Sequence, residues 1–360
     1  MKVSIVSPYS LSLPGGVQGQ VLGLARALRA IGIDARVIGP CDGPPPEPGV
    51  TTVGPSVKYV SNGSISPMAS AQRAASERTL SAIRAFGPDV LHLHEPLVPG
   101  ATGAALLGSD LPKVGTFHAA GEEGHPAYKA LKKIVVSAAR QLTIRTAVSA
   151  DARHMAEEAI GGSYIVLPNG VQVEEFVKAS PTPSDRPAVF FLGRHEPRKG
   201  LDVLLDAWVG IDRDAVLWVG SDGPETESLM ARRTPNVLWL GRLTDEQRAQ
   251  RLKGATVFCA PARGQESFGI VLLEAMASGT AVVASDIPGY RNVARPSREA
   301  LAFPAGDADA LRLALRRALD ADALRAELIE AGEARAAEFS MARVAERFVP
   351  VYETAIALAG

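Results

Sequence analysis

The sequence predicts an α/β protein made of two doubly wound, parallel-sheet domains, and three observations carry that reading. Short apolar runs rich in β-branched residues alternate with longer stretches of helical periodicity, the pattern of strand–helix–strand units. The rhythm breaks once, over 172–187, where Pro181, Pro183, Ser184 and Pro187 cluster, and then restarts. The length of 360 residues, 46% of them hydrophobic and 21% charged, suits two domains of roughly 100–200 residues each.

In order, 2–7 reads as a buried strand. The helix over 17–31 follows, with Val17, Val21, Leu24, Leu28 and Ile31 on one stripe. A strand over 35–39 leads to an exposed loop at 41–49, where three consecutive prolines stand. One or two short strands fall within 51–60. A helix over 68–86, a strand at 90–94, a short helix near 100–107, a strand at 114–118, a helix at 127–139, a strand at 142–148, a helix at 150–160 and a strand at 164–167 complete a first domain, 1–171. After the 172–187 linker, a second domain, 188–340, has strands at 188–192, 215–219, 237–240, 256–259 and 280–284. Its helices fall at 201–209 and 270–278, and helical periodicity continues from 308. The final helix, 341–360, is expected to return to the first domain. Ligands of such sheets bind at the carboxyl ends of strands beside a switch point, so the expected site is the central cleft that the two domains face.

Composition narrows the function. A net charge of −1 and a pI near 6.6 argue against dedicated nucleic-acid binding and against disorder. The first 170 residues carry 15 Lys and Arg against 12 Asp and Glu, a slight basic excess. The two cysteines, Cys41 and Cys259, form neither a disulfide framework nor a CxxC site. No apolar stretch reaches the ~18–20 residues of a membrane span, and the apolar run at the start is short for a signal peptide. The expectation is a reduced, cytoplasmic chain whose membrane contact is peripheral, at the inner face of the cell membrane.

Four constellations carry chemistry. Gly15 and Gly16, within Pro14-Gly15-Gly16-Val17-Gln18, lie between a strand and a helix start, where backbone and helix dipole favour an anion; a flexible turn has the same composition. The pattern is not GxGxxG, and no GxxxxGK[ST] occurs. In Gly193-Arg194-His195-Glu196-Pro197-Arg198-Lys199-Gly200, Arg194 leaves a strand and Lys199 opens a helix, so the two can grip a diphosphate from two sides; a solvated basic loop is the alternative. In the run 264–276, Glu266 and Glu274 stand eight apart, about 12 Å at helical rise. Carboxylates there can accept from sugar hydroxyls, while the amides at the helix start face an anion. The apolar surroundings of Glu274 set it apart from an ordinary solvated glutamate. His118 ends a strand, and a lone histidine there is either structural or catalytic. His92 and His94 alternate on one strand face without a third metal ligand at suitable spacing, so no metal site is expected.

Together these segments resemble the retaining glycosyltransferases of the GT-B fold, in their family four. The resemblance rests on the 264–276 run, the 193–200 loop, Pro168-Asn169-Gly170-Val171, the Gly15-Gly16 turn, Thr116-Phe117-His118, Pro8-Tyr9-Ser10, Asn62-Gly63-Ser64 and His92-Leu93-His94-Glu95-Pro96. It spans nearly the whole chain, and its combination of motifs is specific. It implies two Rossmann-like domains and a nucleotide-sugar donor, GDP-mannose, with no essential metal or other cofactor. It also implies an inositol phospholipid or related glycolipid acceptor. By the same resemblance Gly15, Gly16, Arg194 and Lys199 hold the donor phosphates, and Glu274 holds the ribose. Glu266 with Ser267, Phe268, Gly269 and Ile270 holds the hexose. His118, Arg194 and Lys199 are catalytic, and Tyr9, Gln18 and Asn62 bind the acceptor.

The chain departs from the pattern after His118, where Glu122 and Glu123 stand, and after Asn62, where basic residues are missing. The helix at 127–139 offers Lys129, Lys132, Lys133 and an apolar side of Leu131, Ile134 and Val135, either to an anionic membrane or to the sheet and solvent. A glycosyltransferase with another donor and a soluble acceptor, and a nucleotide-sugar epimerase of the same fold, stay open. A pyridoxal-dependent phosphorylase would show its cofactor's absorbance, and a sugar-binding protein would lack the Arg194 and Lys199 pair.

Overall fold

The computed structural model describes the chain apart from residues 14, 62–63, 71–72, 120–130 and 212–213, with the backbone alone at 58–61 and 64–67. The chain divides into two compact units, Met1–Gly170 with Met341–Gly360, and Val171–Ser340.

Among the described residues the first unit is built on a seven-stranded sheet. Its strands are β1 (Lys2–Val6), β2 (Asp34–Gly39), β3 (Val50–Thr52), β6 (Val90–His94), β7 (Lys113–Phe117), β8 (Ile144–Ala147) and β9 (Ile165–Val166), in the order β3-β2-β1-β6-β7-β8-β9. Every pairing is parallel. β6 and β7 are buried along their whole length, as strands covered by helices on both faces must be. One face packs on helix Gly16–Ala30 through Val21, Leu24, Ala25 and Leu28. Helix Met341–Ala359 joins the same core with Phe348, Val351, Tyr352 and Ala355. The other face carries Ile83, Ala105, Leu106, Val135 and Ala152 from four further helices. Ser149 starts one of them, Ala150–Ile160, by accepting from the amide of Ala152.

Strands β4 (Ser56–Ser61) and β5 (Ser64–Ala69) form a separate antiparallel pair. This differs from the expected helix start at 68. The helix begins at Arg73, and Pro67 favours extended backbone at Ser66, so the chain around it enters a strand instead. Of the expected helix at 127–139, Lys132–Ala139 is helical, and 127–130 lie outside the described residues.

The second unit holds β10 (Ala188–Leu192), β11 (Val216–Gly220), β12 (Val237–Gly241), β13 (Val257–Ala260), β14 (Ala281–Ser285) and β15 (Leu301–Phe303), in the order β12-β11-β10-β13-β14-β15. Alternation along β10 sends Ala188 and Phe190 into one core and Val189 and Phe191 into the other. Each such large side chain contributes about 1.5–3 kcal/mol by leaving water.

The expected linker needs correction. Val173–Lys178 is a helix whose Phe176 is buried in the second core, and the amide of Thr182 donates to the carbonyl of Gln250. The prolines begin only at Pro181, so they mark the stretch after that helix and not the helix itself. Helix Asp245–Gly254 is an element beyond those expected, and Thr244 and Gln247 form a capping box at its start.

Candidate functional site

In each parallel sheet the first strand in the chain is flanked by strands that wind in opposite directions: β1 lies between β2 and β6, and β10 between β11 and β13. The polar side chains gather at the carboxyl ends of these strands, where such sheets bind ligands.

In the second unit the loops after β10 and β13 meet. Gly200 has φ +67°, and a Cβ there would stand 2.0 Å from the carbonyl oxygen of Pro261, so only glycine lets the two loops touch. The amide of Arg263 donates to the carbonyl of Arg198 at 2.8 Å. Lys199 Nζ then lies 2.6 Å from Glu266 Oε1, and Arg198 Nη1 lies 2.9 Å from the same oxygen. Arg198 also reaches Glu196 at 2.6 Å, and Arg194 Nε is 3.7 Å from Glu196. Three cations thus face two carboxylates, a cluster with room for one more negative charge. Sequence reasoning had placed Arg194, Lys199 and Glu266 here. The sequence alone gives no part to Arg198, whose pairing with Glu266 depends on which loops are neighbours, or to Glu196, which pairs within its own loop.

Glu266 sits in a sharply turned loop. Gln265 has φ +59°, and a Cβ on Gly289 would stand 1.8 Å from the Glu266 carbonyl oxygen, so the chain passes close by. Phe268 is buried edge-on to Phe339, which anchors the turn, while Ser267 precedes it and Gly269, at φ +89°, caps helix Ile270–Ala277. The expected 12 Å helical separation of Glu266 and Glu274 therefore does not apply: the helix starts only at Ile270, and the remaining residues form the loop.

Glu274 is the single charged residue of that helix, whose residues from Leu272 to Ala277 are buried. Burial pushes its carboxyl pKa up, against the pull of Arg248. Arg248 Nη1 stands 3.3 Å from Oε1. Oε2 is buried with no hydrogen-bond partner among the described residues. Such an oxygen is costly unless a ligand donates to it.

In the first unit His92, His94 and His118 line up across β6 and the end of β7. His92 Nδ1 is 2.9 Å from the Tyr352 hydroxyl and Nε2 is 2.7 Å from Thr116 Oγ1, which is 2.6 Å from Thr146 Oγ1. Thr146 in turn donates to the carbonyl of Gly115. Only one direction satisfies the chain. Tyr352, fully buried, donates to His92 Nδ1. His92 Nε2–H then donates to Thr116, and Thr116 donates to Thr146; reversed, the Tyr352 hydrogen would have no acceptor. This ties helix Met341–Ala359 to the sheet. His94 Nδ1 lies 2.8 Å from His118 Nε2. Burial lowers the pKa of His92 and His118 to about 3 and that of His94 well below its ordinary value.

Glu95, which sequence reasoning quoted without a role, follows β6 at φ +48°. Its Oε1 accepts from the amides of both His118 and Ala119 at 2.8 Å, bracketing the backbone of His118. Tyr9 is half-buried after β1 and pairs with Met68; burial and then Glu95 raise its phenol pKa. Gln18 is buried, and its amide lies so close to Gly15 that a Cβ there would come within 2.2 Å of it. Gly16 begins the helix, and Asn62 lies outside the described residues. Gln20, unremarked in the sequence, grips both backbone groups of Gly170, donating to its oxygen at 2.8 Å and accepting from its amide at 2.7 Å. Tyr9, Glu95, His94 and His118 are thus gathered in one unit, and Arg194, Lys199, Glu266 and Glu274 in the other.

Two doubly wound sheets with their polar groups at the switch points define a GT-B fold. The structure of sucrose-phosphate synthase from Thermosynechococcus elongatus shares it, with a TM-score of 0.78 at 20% identity over 99% of both chains. The model described as Glycosyltransferase Family 4 matches residues 14–175, and that described as Glycosyl transferases group 1 matches 172–335. A phosphatidyl-myo-inositol mannosyltransferase from Mycobacterium leprae is 36% identical over 98% of this chain and 97% of its own. A GDP-mannose-dependent alpha-mannosyltransferase from Mycobacterium tuberculosis is 29% identical over 85% of each chain. The chain belongs to glycosyltransferase family four and is an enzyme of that class.

Proposed function

We propose that this glycosyltransferase moves mannose from GDP-mannose, with retention, to phosphatidyl-myo-inositol or a related glycolipid. The observation that carries the reading is the full-length likeness to the Mycobacterium leprae mannosyltransferase. In this reading Arg194 and Lys199 meet the negative charge that grows on the departing diphosphate, joined by the backbone at Gly15 and Gly16. Glu266 and the Ser267, Phe268, Gly269 and Ile270 backbone hold the hexose. His118 contacts substrate at the reacting centre, while Tyr9, Gln18 and Asn62 hold the acceptor. The leaving phosphate takes the proton of the acceptor hydroxyl, and Arg194 and Lys199 supply the positive charge that a metal would bring to the diphosphate, so the reading calls for no metal or other cofactor.

The unpaired oxygen of Glu274 supports a ribose hydroxyl as its partner. Glu274→Ala is expected to weaken binding of GDP alone by about 1–3 kcal/mol. Unchanged affinity in calorimetry would remove Glu274 from the nucleotide site.

Membrane contact is supported by helix Lys132–Ala139. Leu131, Lys132, Lys133 and Ile134 are exposed at its start, while Val135 and Ala139 face the core. Among the described residues no helix is long and apolar enough to cross a membrane, so contact through this helix is peripheral, with each lysine contributing about 1 kcal/mol near an anionic surface. Co-sedimentation with vesicles containing anionic lipid, lost in K132E/K133E, is expected, together with mannose transfer to phosphatidylinositol. Efficient transfer to a soluble acceptor alone would overturn the lipid reading and favour a soluble-acceptor enzyme of the same family.

A further inference from the structure

Resting on the reading of His118 as a residue that contacts substrate, we propose that His94 is its positioning residue: it fixes the tautomer of His118, keeping the ring proton on Nδ1 as a donor to a substrate oxygen.

The two imidazoles face each other through one nitrogen each, His94 Nδ1 and His118 Nε2, at 2.8 Å. Both residues are buried, with 2% and 7% of their surface exposed. Burial disfavours the charged form of each, so each ring carries one proton. Only one of the two facing nitrogens then bears hydrogen, which leaves two arrangements.

In the first, His118 Nε2–H donates to His94 Nδ1, and the proton of His94 must sit on its Nε2. That nitrogen is buried and has no hydrogen-bond partner among the described residues. In the second, His94 Nδ1–H donates, and the unpartnered Nε2 is a bare lone pair. A buried N–H with no acceptor is rarer and costlier than an unused acceptor. The second arrangement therefore holds, and it leaves the proton of His118 on Nδ1.

The surroundings lock this pair. His92 is held at both nitrogens by Tyr352 and Thr116, and its ring centroid lies 4.4 Å from that of His94. His94 thus has two ring neighbours, with the His118 centroid at 5.0 Å. Glu95 fixes the backbone of His118 through the two amides it accepts from. The cavity beside these rings, bordered by Gln20, Thr116, Asn169 and Phe348, measures about 10 Å³. That is too small for a sugar ring, and with only 2% of its surface exposed His94 meets no substrate and acts only through His118. The consequence is chemical. With Nε2 engaged and Nδ1 protonated, His118 donates a hydrogen bond and does not serve as the base for the acceptor hydroxyl.

The test is nitrogen-detected NMR of the full chain labelled at histidine, combined with kinetics. In the wild type the His118 Nδ1 signal is expected to be of the protonated type and Nε2 of the unprotonated type. His94→Asn puts an amide donor where Nδ1 stood, and should keep both this pattern and most of kcat. His94→Leu should leave His118 in mixed tautomers and lower kcat by about 10-fold or more, with KM within about twofold. A proton on His118 Nε2 in the wild type would overturn the proposal. So would an unchanged tautomer and kcat in His94→Leu. Full turnover in His118→Ala would instead overturn the reading on which the functional half rests, while the ring signals would still report the tautomer.

Discussion

Replacing Lys199 with alanine is expected to lower kcat by about 100-fold or more, and replacing Arg194 to do the same. That is the scale for removing one preorganised charge from a developing anion. Lys199 is well placed for the task because its position is fixed twice. The turn Pro197–Lys199 closes on the left-handed Gly200, and Glu266 holds the ammonium at 2.6 Å. The ion pair also means that Lys199 is not a free charge awaiting phosphate. The donor must share it with Glu266, and the hexose that Glu266 is proposed to bind does so by drawing the carboxylate towards its hydroxyls. Lys199→Ala leaves Glu266 paired with Arg198, so the fold should survive, and the loss should appear in kcat at saturating donor with melting temperature nearly constant. Wild-type turnover in both single variants would remove the pair from catalysis.

What could be read in the sequence follows from the range of each interaction. The strands, the switch-point loops and the basic 193–200 segment are local patterns, and local pattern is what a sequence displays. The same holds for the 264–276 run, whose apolar residues already isolate Glu274. Glu95 is different. Its bond to the amides of His118 and Ala119 joins residues 23 and 24 positions apart, and it exists only because β6 and β7 are neighbours in the sheet. The His94 and His118 contact and the Lys199 and Glu266 pair have the same origin. The 64–69 strand escaped notice for another reason: its Ser, Ile, Ser, Pro, Met and Ala side chains give no clear alternation, and its pairing with 56–61 supplies the structure. The prolines predict a longer linker than the fold contains, because proline is visible in a sequence whereas the burial of Phe176 depends on the second core it joins.

The buried histidines lead to the second large expected effect, a loss of stability in mild acid. In the unfolded chain an imidazole titrates near 6.5, whereas burial holds His92 and His118 at about 3 and His94 well below its ordinary value, with repulsion among the rings adding to the burial for His92 and His94. Between about pH 6.5 and 3 the unfolded chain therefore binds protons that the folded chain refuses, and stability falls as pH falls, by up to about 1.4 kcal/mol per pH unit for each ring. His195, whose pKa is lowered by burial in the second unit, pulls the same way. Glu95 and Glu274 oppose it. Burial raises their pKa values, so the folded chain takes up protons before the unfolded one and recovers part of the loss. Three deeply buried imidazoles outweigh two carboxyls whose shifts are countered by amides or by Arg248. The net expectation is a loss of about 2–4 kcal/mol between pH 7 and pH 5.5, read from urea unfolding at each pH. His94→Leu, with two of the three rings left, should lose about a third less over the same interval. Equal stability at the two pH values, in the wild type and in His94→Leu alike, would mean that the rings do not resist protonation in the folded chain, and would remove the basis for treating the cluster as neutral.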